Sequence, residues 1–171
     1  LKESIIQNEI FCDQRGKIGK LYSRIVPKIE FIAKFKEKID GDIQESYMIG
    51  MEKLDGDFYQ FNDFQTSLLS TEKKKENIGK IYDLYLHSLI QISQKIAQLQ
   101  QEYNFIHNDL HMGNLMYKKI VKNGEPVYDW YIIDFGMSCF QKDGIQLCGT
   151  NIYTKYNNSH DLRMLFTSLL E

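Results

Sequence analysis

Between Phe105 and Met116 the chain reads Phe-Ile-His-Asn-Asp-Leu-His-Met-Gly-Asn-Leu-Met, which sets His107, Asp109, His111 and Asn114 between two apolar flanks. A second stretch, Ile132-Ile133-Asp134-Phe135-Gly136, ends an apolar run on a carboxylate followed by Phe-Gly. Asn114 and Asp134 offer an amide oxygen and a carboxylate, hard donors of the kind magnesium accepts while it keeps several waters. Taken singly these pieces are weak, because an Asp near a His is commonly a hydrogen-bonded pair and Asp-Phe-Gly a strand-to-turn exit. Their order along one chain carries the weight.

Such a set works only if strands bring its members together. Leu115 to Val121 and Val127 to Ile133 read as two strands joined by Lys122-Asn123-Gly124-Glu125-Pro126, with Asn-Gly as the turn signal. Asn114 stands at the entrance of this hairpin and Asp134 at its exit, so strand pairing can unite residues far apart in sequence.

His107-x-Asp109-Leu110-His111-x-Gly113-Asn114 followed by Asp134-Phe135-Gly136 resembles the catalytic and metal-binding loops of the protein-kinase-like phosphotransferases, and the likeness covers most of the chain. It implies an α+β, two-lobed fold: a partial small lobe of helix, antiparallel strands and hinge over residues 1–53, and a mainly helical large lobe with a catalytic β-hairpin over 54–171. ATP and Mg2+ are the implied cofactors. Phosphoryl transfer needs a hydroxyl aimed in line at the γ-phosphorus and metal to neutralise the phosphate oxygens. Asp109 takes the first role within a catalytic loop that includes His107, His111 and Asn114, while Asn114 and Asp134 serve the metal.

The resemblance also assigns Met51 as gatekeeper, with Glu52 and Leu54 offering a carbonyl and an amide to the adenine base. Glu9 matches the regulatory-helix glutamate, whose lysine partner would lie upstream of Leu1. Asp161 matches the aspartate that braces the catalytic loop from below, and Gly149, Thr150 and Tyr153 match a Gly-Thr-x-x-Tyr segment that holds a substrate peptide. Three departures stand out. The Pro-Glu that follows that segment is missing, Lys155-Tyr156-Asn157 standing nearby. His111 replaces a common lysine, and an imidazole stabilises phosphate charge less, so orienting the loop is its expected role. No glycine-rich phosphate loop is present, since Gly16-Lys17-Ile18-Gly19-Lys20 lacks a strand-turn-strand setting. The implied activity is a Ser/Thr protein kinase. The alternatives are a small-molecule kinase of the choline or aminoglycoside type, acting on an alcohol, and a pseudokinase that only binds.

Elsewhere the pattern predicts a helix over residues 1 to about 14, ended by Gly16, and a half-buried strand from Pro27 to Lys36 with Ile29, Phe31, Ala33 and Phe35 on one face. Ile39-Asp40-Gly41-Asp42 reads as a hairpin turn into a second strand, Gln44 to Glu52. Residues 58 to 77 end in the charge run Thr71-Glu72-Lys73-Lys74-Lys75-Glu76, read as a solvated face or loop. Ile78 to Tyr103 has the period of one long amphipathic helix with Gln, Ser and Lys outside. Ser159 or Asn158 is the expected N-cap of a last helix.

With 171 residues the chain can bury one core, but a complete two-lobed unit needs more, and both ends read as cuts, so a fragment is expected. Twenty-one basic and 23 acidic residues leave a net charge of −2, which gives no electrostatic footprint for nucleic acid or an anionic membrane. Cys12, Cys139 and Cys148 lack the paired spacings of a zinc site or disulfide framework. Three free thiols in a reducing compartment, and hence a cytoplasmic or otherwise intracellular location, are the expectation. No apolar run approaches the roughly 18 residues of a membrane span.

Overall fold

The computed structural model describes residues 5–8, 10, 24–39, 42–69, 74–148 and 159–170. Within them the chain is a mixed α+β structure with three small antiparallel sheets. Residues 5–8 and 10 are helical, and Ile6 and Ile10 are fully buried.

Strands β1 (Ile29–Ile39) and β2 (Asp42–Met51) form a two-stranded ribbon whose register runs from Ile29 opposite Met51 to Ile39 opposite Asp42. The half-buried strand read from the alternation is corrected here, because Phe31, Ile32 and Phe35 on β1 and Met48 on β2 are all exposed. Period-2 alternation says which face could be buried, whereas a ribbon of two strands supplies no layer to bury it. Phe31 instead lies across β2, where a Cβ at Gly50 would come within 2.2 Å of its ring.

The second sheet has the order β3 (Gly56–Asp57), β4 (Leu115–Lys122), β5 (Glu125–Ile132). Its main hairpin turns at Asn123 and Gly124, both with positive φ, the backbone that a tight two-residue turn requires. Helix α1 (Phe58–Leu69) follows β3 directly, in a stretch for which the sequence pattern predicts no element. Its start is a reciprocal cap: Gln60 N donates to Asp57 Oδ1 at 2.8 Å and Asp57 N donates to Gln60 Oε1 at 3.2 Å. Helix α2 (Lys74–Tyr103) begins inside the charge run, four residues earlier than the apolar period predicts.

The core lies between α1, α2 and the β4–β5 sheet. Phe58 and Phe61 meet Trp130 with ring centroids 4.9 and 5.3 Å apart, and Phe61 meets Tyr128 edge-on at 4.9 Å. Each such side chain, fully buried, contributes about 1.5–3 kcal/mol of apolar transfer. Helix α2 turns Ile92, Ile96, Leu99 and Tyr103 into this core. Its outer face departs from the expected polar composition, since Ile78, Tyr82, Leu86 and Ile90 form an exposed stripe at four-residue spacing.

Lys95 on α2 is 1% exposed and acts as a rivet. Its ammonium donates to the Arg24 carbonyl at 2.9 Å, to Asp129 Oδ1 at 3.0 Å and to the Trp130 carbonyl. Burial lowers its pKa, and Asp129 works in the opposite direction. Beside it Ile132 N donates to the Ile25 carbonyl, so residues 24–26 lie against β5.

Beyond β5, strands β6 (Cys139–Lys142) and β7 (Ile145–Cys148) form a hairpin through Asp143 and Gly144, both with positive φ. Cys139 pairs with Cys148 across it, Cα atoms 4.1 Å apart, and the two are joined in a disulfide. This corrects the expectation of free thiols at those positions, and the argument for a reducing compartment loses its support. Cys12 lies outside the described residues. Helix α3 (His160–Ser168) closes the described chain. Ser159 is its N-cap residue, but its hydroxyl makes no capping bond and accepts instead from the Arg163 guanidinium. No described helix is long and apolar enough to cross a membrane.

Candidate active site

The segment from Phe105 to Asn114 runs between α2 and β4 and is tied down on several sides. On one side Ile106 and Cys139 exchange backbone hydrogen bonds of 2.9 and 2.8 Å. From α3 the Asp161 carboxylate, fully buried, accepts from His107 N at 3.1 and 3.0 Å and from Asn108 N at 3.1 Å. These bonds hold Asn108 at a φ of 65°, a left-handed conformation that costs on the order of 1 kcal/mol and needs such support. Two contacts that sequence reasoning passed over complete the latch: Asn108 Nδ2 donates to the Met137 carbonyl and Ser138 Oγ to the His107 carbonyl.

His107 is buried, with its ring between Phe105 and Phe135 at centroid distances of 6.1 and 5.5 Å. Its Nε2 lies 2.9 Å from the Ile133 carbonyl, which assigns the proton to that nitrogen, while Nδ1 is buried without a partner among the described residues. Burial lowers the imidazole pKa, against the pull of the Ile133 carbonyl and the carboxylates of Asp161, Asp134 and Asp109. The ring is therefore a neutral strut between the loop and the end of β5.

Past Asp109 the chain enters a 3-10 turn, Met112–Asn114, capped by His111, whose Nδ1 accepts from Gly113 N at 3.1 Å. The fit is close, as a Cβ at Gly113 would stand 2.9 Å from the His111 ring. Asn114 is buried; its Nδ2 donates to the Asp109 carbonyl at 2.8 Å, and its backbone carbonyl accepts from Ile133 N at 3.1 Å. Asp109, Asn114 and the residue before Asp134 are thus joined by consecutive hydrogen bonds. Asp134 has a φ of 60° and its Oδ1 accepts from Gly136 N at 3.2 Å.

Three oxygen-bearing groups remain open in this arrangement. Among the described residues the half-buried Asp109 carboxylate has no hydrogen bond or ion pair, Asn114 Oδ1 accepts nothing, and Asp134 Oδ2 accepts nothing. The described residues contain no group of three or more His, Cys, Asp or Glu able to hold a metal ion. One amide and one carboxylate oxygen suit a small divalent cation that takes its other ligands from water and phosphate, so the donor set fits magnesium without forming a protein cage.

The other expected site residues lie at the end of β2. Met51 is half-buried, and its Sδ accepts from Gln7 Nε2 at 3.6 Å. Glu52 N donates to the Lys28 carbonyl at 2.9 Å, but among the described residues the Glu52 carbonyl and the Leu54 N–H have no partner. An acceptor and a donor two residues apart are therefore available on one strand exit. Glu9, Gly149, Thr150 and Tyr153 lie outside the described residues.

Charge at this exit is organised by the Glu52 side chain, a role the sequence reading did not foresee. It bridges Arg24 at 3.0 Å and Lys118 at 2.9 Å and accepts from Lys28 N at 2.9 Å. Burial pushes its carboxyl pKa up, but the Lys118 and Lys28 donors and the Arg24 charge outweigh that and hold it below the ordinary 4.5. A depressed folded-state pKa contributes stability above the unfolded value, and the contribution disappears as pH falls through the folded value. Glu52→Gln is expected to lower stability by about 1–2 kcal/mol at pH 7, since the exposed halves of Arg24 and Lys118 are screened. In urea melts at a series of pH values the gap to wild type should close below pH 4.5; a gap independent of pH would assign the loss to packing.

Comparison with known protein families finds no family that this chain matches, and comparison with curated proteins finds no relative.

Proposed function

We propose that the chain carries the core of an ATP-dependent phosphotransferase of the protein-kinase-like type, with residues 1–53 in a small lobe and 54–171 in a large one. The observation that supports this reading is the Asp109 carboxylate, unpartnered among the described residues on a loop whose neighbouring backbone is held by Asp161 and Asn114. A carboxylate fixed in place yet unpaired is suited to meet a hydroxyl, orient it and take its proton late in the transfer. Asn114 and Asp134 would hold Mg2+, which when bound neutralises charge on the phosphate oxygens. The Glu52 carbonyl and Leu54 N–H would receive the adenine edge beside Met51.

The acceptor in this reading is a Ser or Thr hydroxyl of a protein. A small-molecule alcohol is the second reading, favoured by His111, which caps its own loop instead of presenting a cation to phosphate. Turnover assays with peptide and small-alcohol panels separate the two. Nucleotide binding without turnover on either panel would leave a pseudokinase.

The metal assignment has its own test. Isothermal titration of ATP into the natural protein that carries this chain is expected to show affinity that rises with magnesium, and Asp134→Ala is expected to remove that increment. Nucleotide affinity equal with and without magnesium, and unchanged in the variant, would overturn the assignment.

A further inference from the structure

Three consecutive residues grip the loop that carries His107, Asn108 and Asp109. The Met137 carbonyl accepts from Asn108 Nδ2 at 3.0 Å, Ser138 Oγ donates to the His107 carbonyl at 3.2 Å, and Cys139 exchanges backbone hydrogen bonds with Ile106. Cys139 is also the first residue of β6, and its disulfide to Cys148, the last residue of β7, closes the open end of that hairpin. Strand β6 has a further anchor, because Phe140 stacks on Tyr103 at the end of α2 with ring centroids 5.0 Å apart. Strand β7 is held by its four-residue ladder to β6, by Leu147 against the core and by the S–S bond. A hairpin of two short strands is marginally stable by itself, so a covalent link between its ends contributes much of its order. That order reaches the loop directly, since the linked residue is the one paired with Ile106.

We propose that Cys139 and Cys148 form a redox-controlled modification site: the disulfide holds the loop from Ile106 to Asp109 in its braced conformation, and reduction by a dithiol releases it. Cys148 is half-buried and Cys139 is 9% exposed, so attack falls on Cys148. A dithiol thiolate bonds to Cys148 Sγ, the S–S bond breaks, and Cys139 Sγ leaves as a thiolate that takes a proton. The second sulfur of the dithiol then displaces Cys148, which takes another proton, and the dithiol closes as a disulfide. Two electrons pass to the protein, and the same exchange in reverse restores the link. The switch is read from the backbone of the loop and stands independently of phosphoryl transfer.

Hydrogen exchange read by mass spectrometry on the natural protein that carries this chain, before and after treatment with dithiothreitol, tests it. Alkylation of the untreated protein should leave Cys139 and Cys148 unmodified, and alkylation after treatment should label both. Peptides covering 105–108 and 139–142 should exchange at least about tenfold faster in the reduced form, a modest share of what closing such a loop contributes. Peptides of the β4–β5 hairpin should keep their rates. Cys148→Ser should exchange at the reduced rate with or without the dithiol. Equal rates at 105–108 in the two forms, a response that persists in the variant, faster exchange throughout β4–β5, or a pair already alkylated before treatment would overturn the proposal. If Cys148→Ser does not fold, the wild-type comparison decides by itself, with β4–β5 as the internal reference.

Discussion

Replacing Asp109 by Asn is expected to lower the turnover number of the natural protein by about 10²–10⁴-fold, the range of a positioned general base. The Michaelis constant for ATP should stay within a few-fold of wild type, because Asp109 contributes no contact to the strand exit at Glu52 and Leu54 proposed to receive the nucleotide. That split is the signature of an interaction made in the transition state and not in the ground state. The substitution is nearly isosteric, and among the described residues the loop uses the backbone carbonyl of Asp109, which accepts from Asn114, and not its carboxylate. Folding should therefore survive, and steady-state kinetics with ATP and an acceptor substrate is the measurement. Turnover near wild type would make Asp109 a structural carboxylate.

Asp161→Ala is expected to lower stability by about 3 kcal/mol, because it leaves the N–H groups of His107 and Asn108 without an acceptor in a buried setting, and each such loss costs about 1–3 kcal/mol. Asp161 is fully buried and provides all of these bonds from a helix more than 50 residues away. The loop loses the support for the left-handed Asn108, so turnover should fall together with the urea midpoint. A midpoint equal to wild type would show that the Ile106–Cys139 pairing and the Ser138 hydroxyl hold the loop by themselves.

Much of the fold's local detail was legible because it rests on local physics. The three-to-four spacing of Ile81, Tyr85, Leu89, Ile92, Ile96 and Leu99 marks α2, and Asn123-Gly124 marks the β4–β5 turn through its demand for positive φ. Two further elements carry equally local signals. Asp57-x-x-Gln60 is a capping box at the start of α1, and Asp143-Gly144 is the same kind of turn signal as Asn123-Gly124. The second places Cys139 opposite Cys148, where the disulfide joins them.

The residue types of the candidate site were visible from sequence alone: two carboxylates, an amide and two imidazoles in a fixed order around one hairpin. Residue type and spacing determine what chemistry is available, whereas the state of each group depends on partners brought by distant segments. The bracing of the loop backbone by Asp161 was expected from the resemblance, whereas only the tertiary structure decides that Asp109 stays open among the described residues, that the Glu52 side chain is engaged by Arg24 and Lys118, and that Lys95 riveting residues 24–26 to β5 is buried. Hydrogen-bond partners 50 or 60 residues apart are set by how helices and sheets pack over the shared aromatic core. No spacing within the chain encodes that packing.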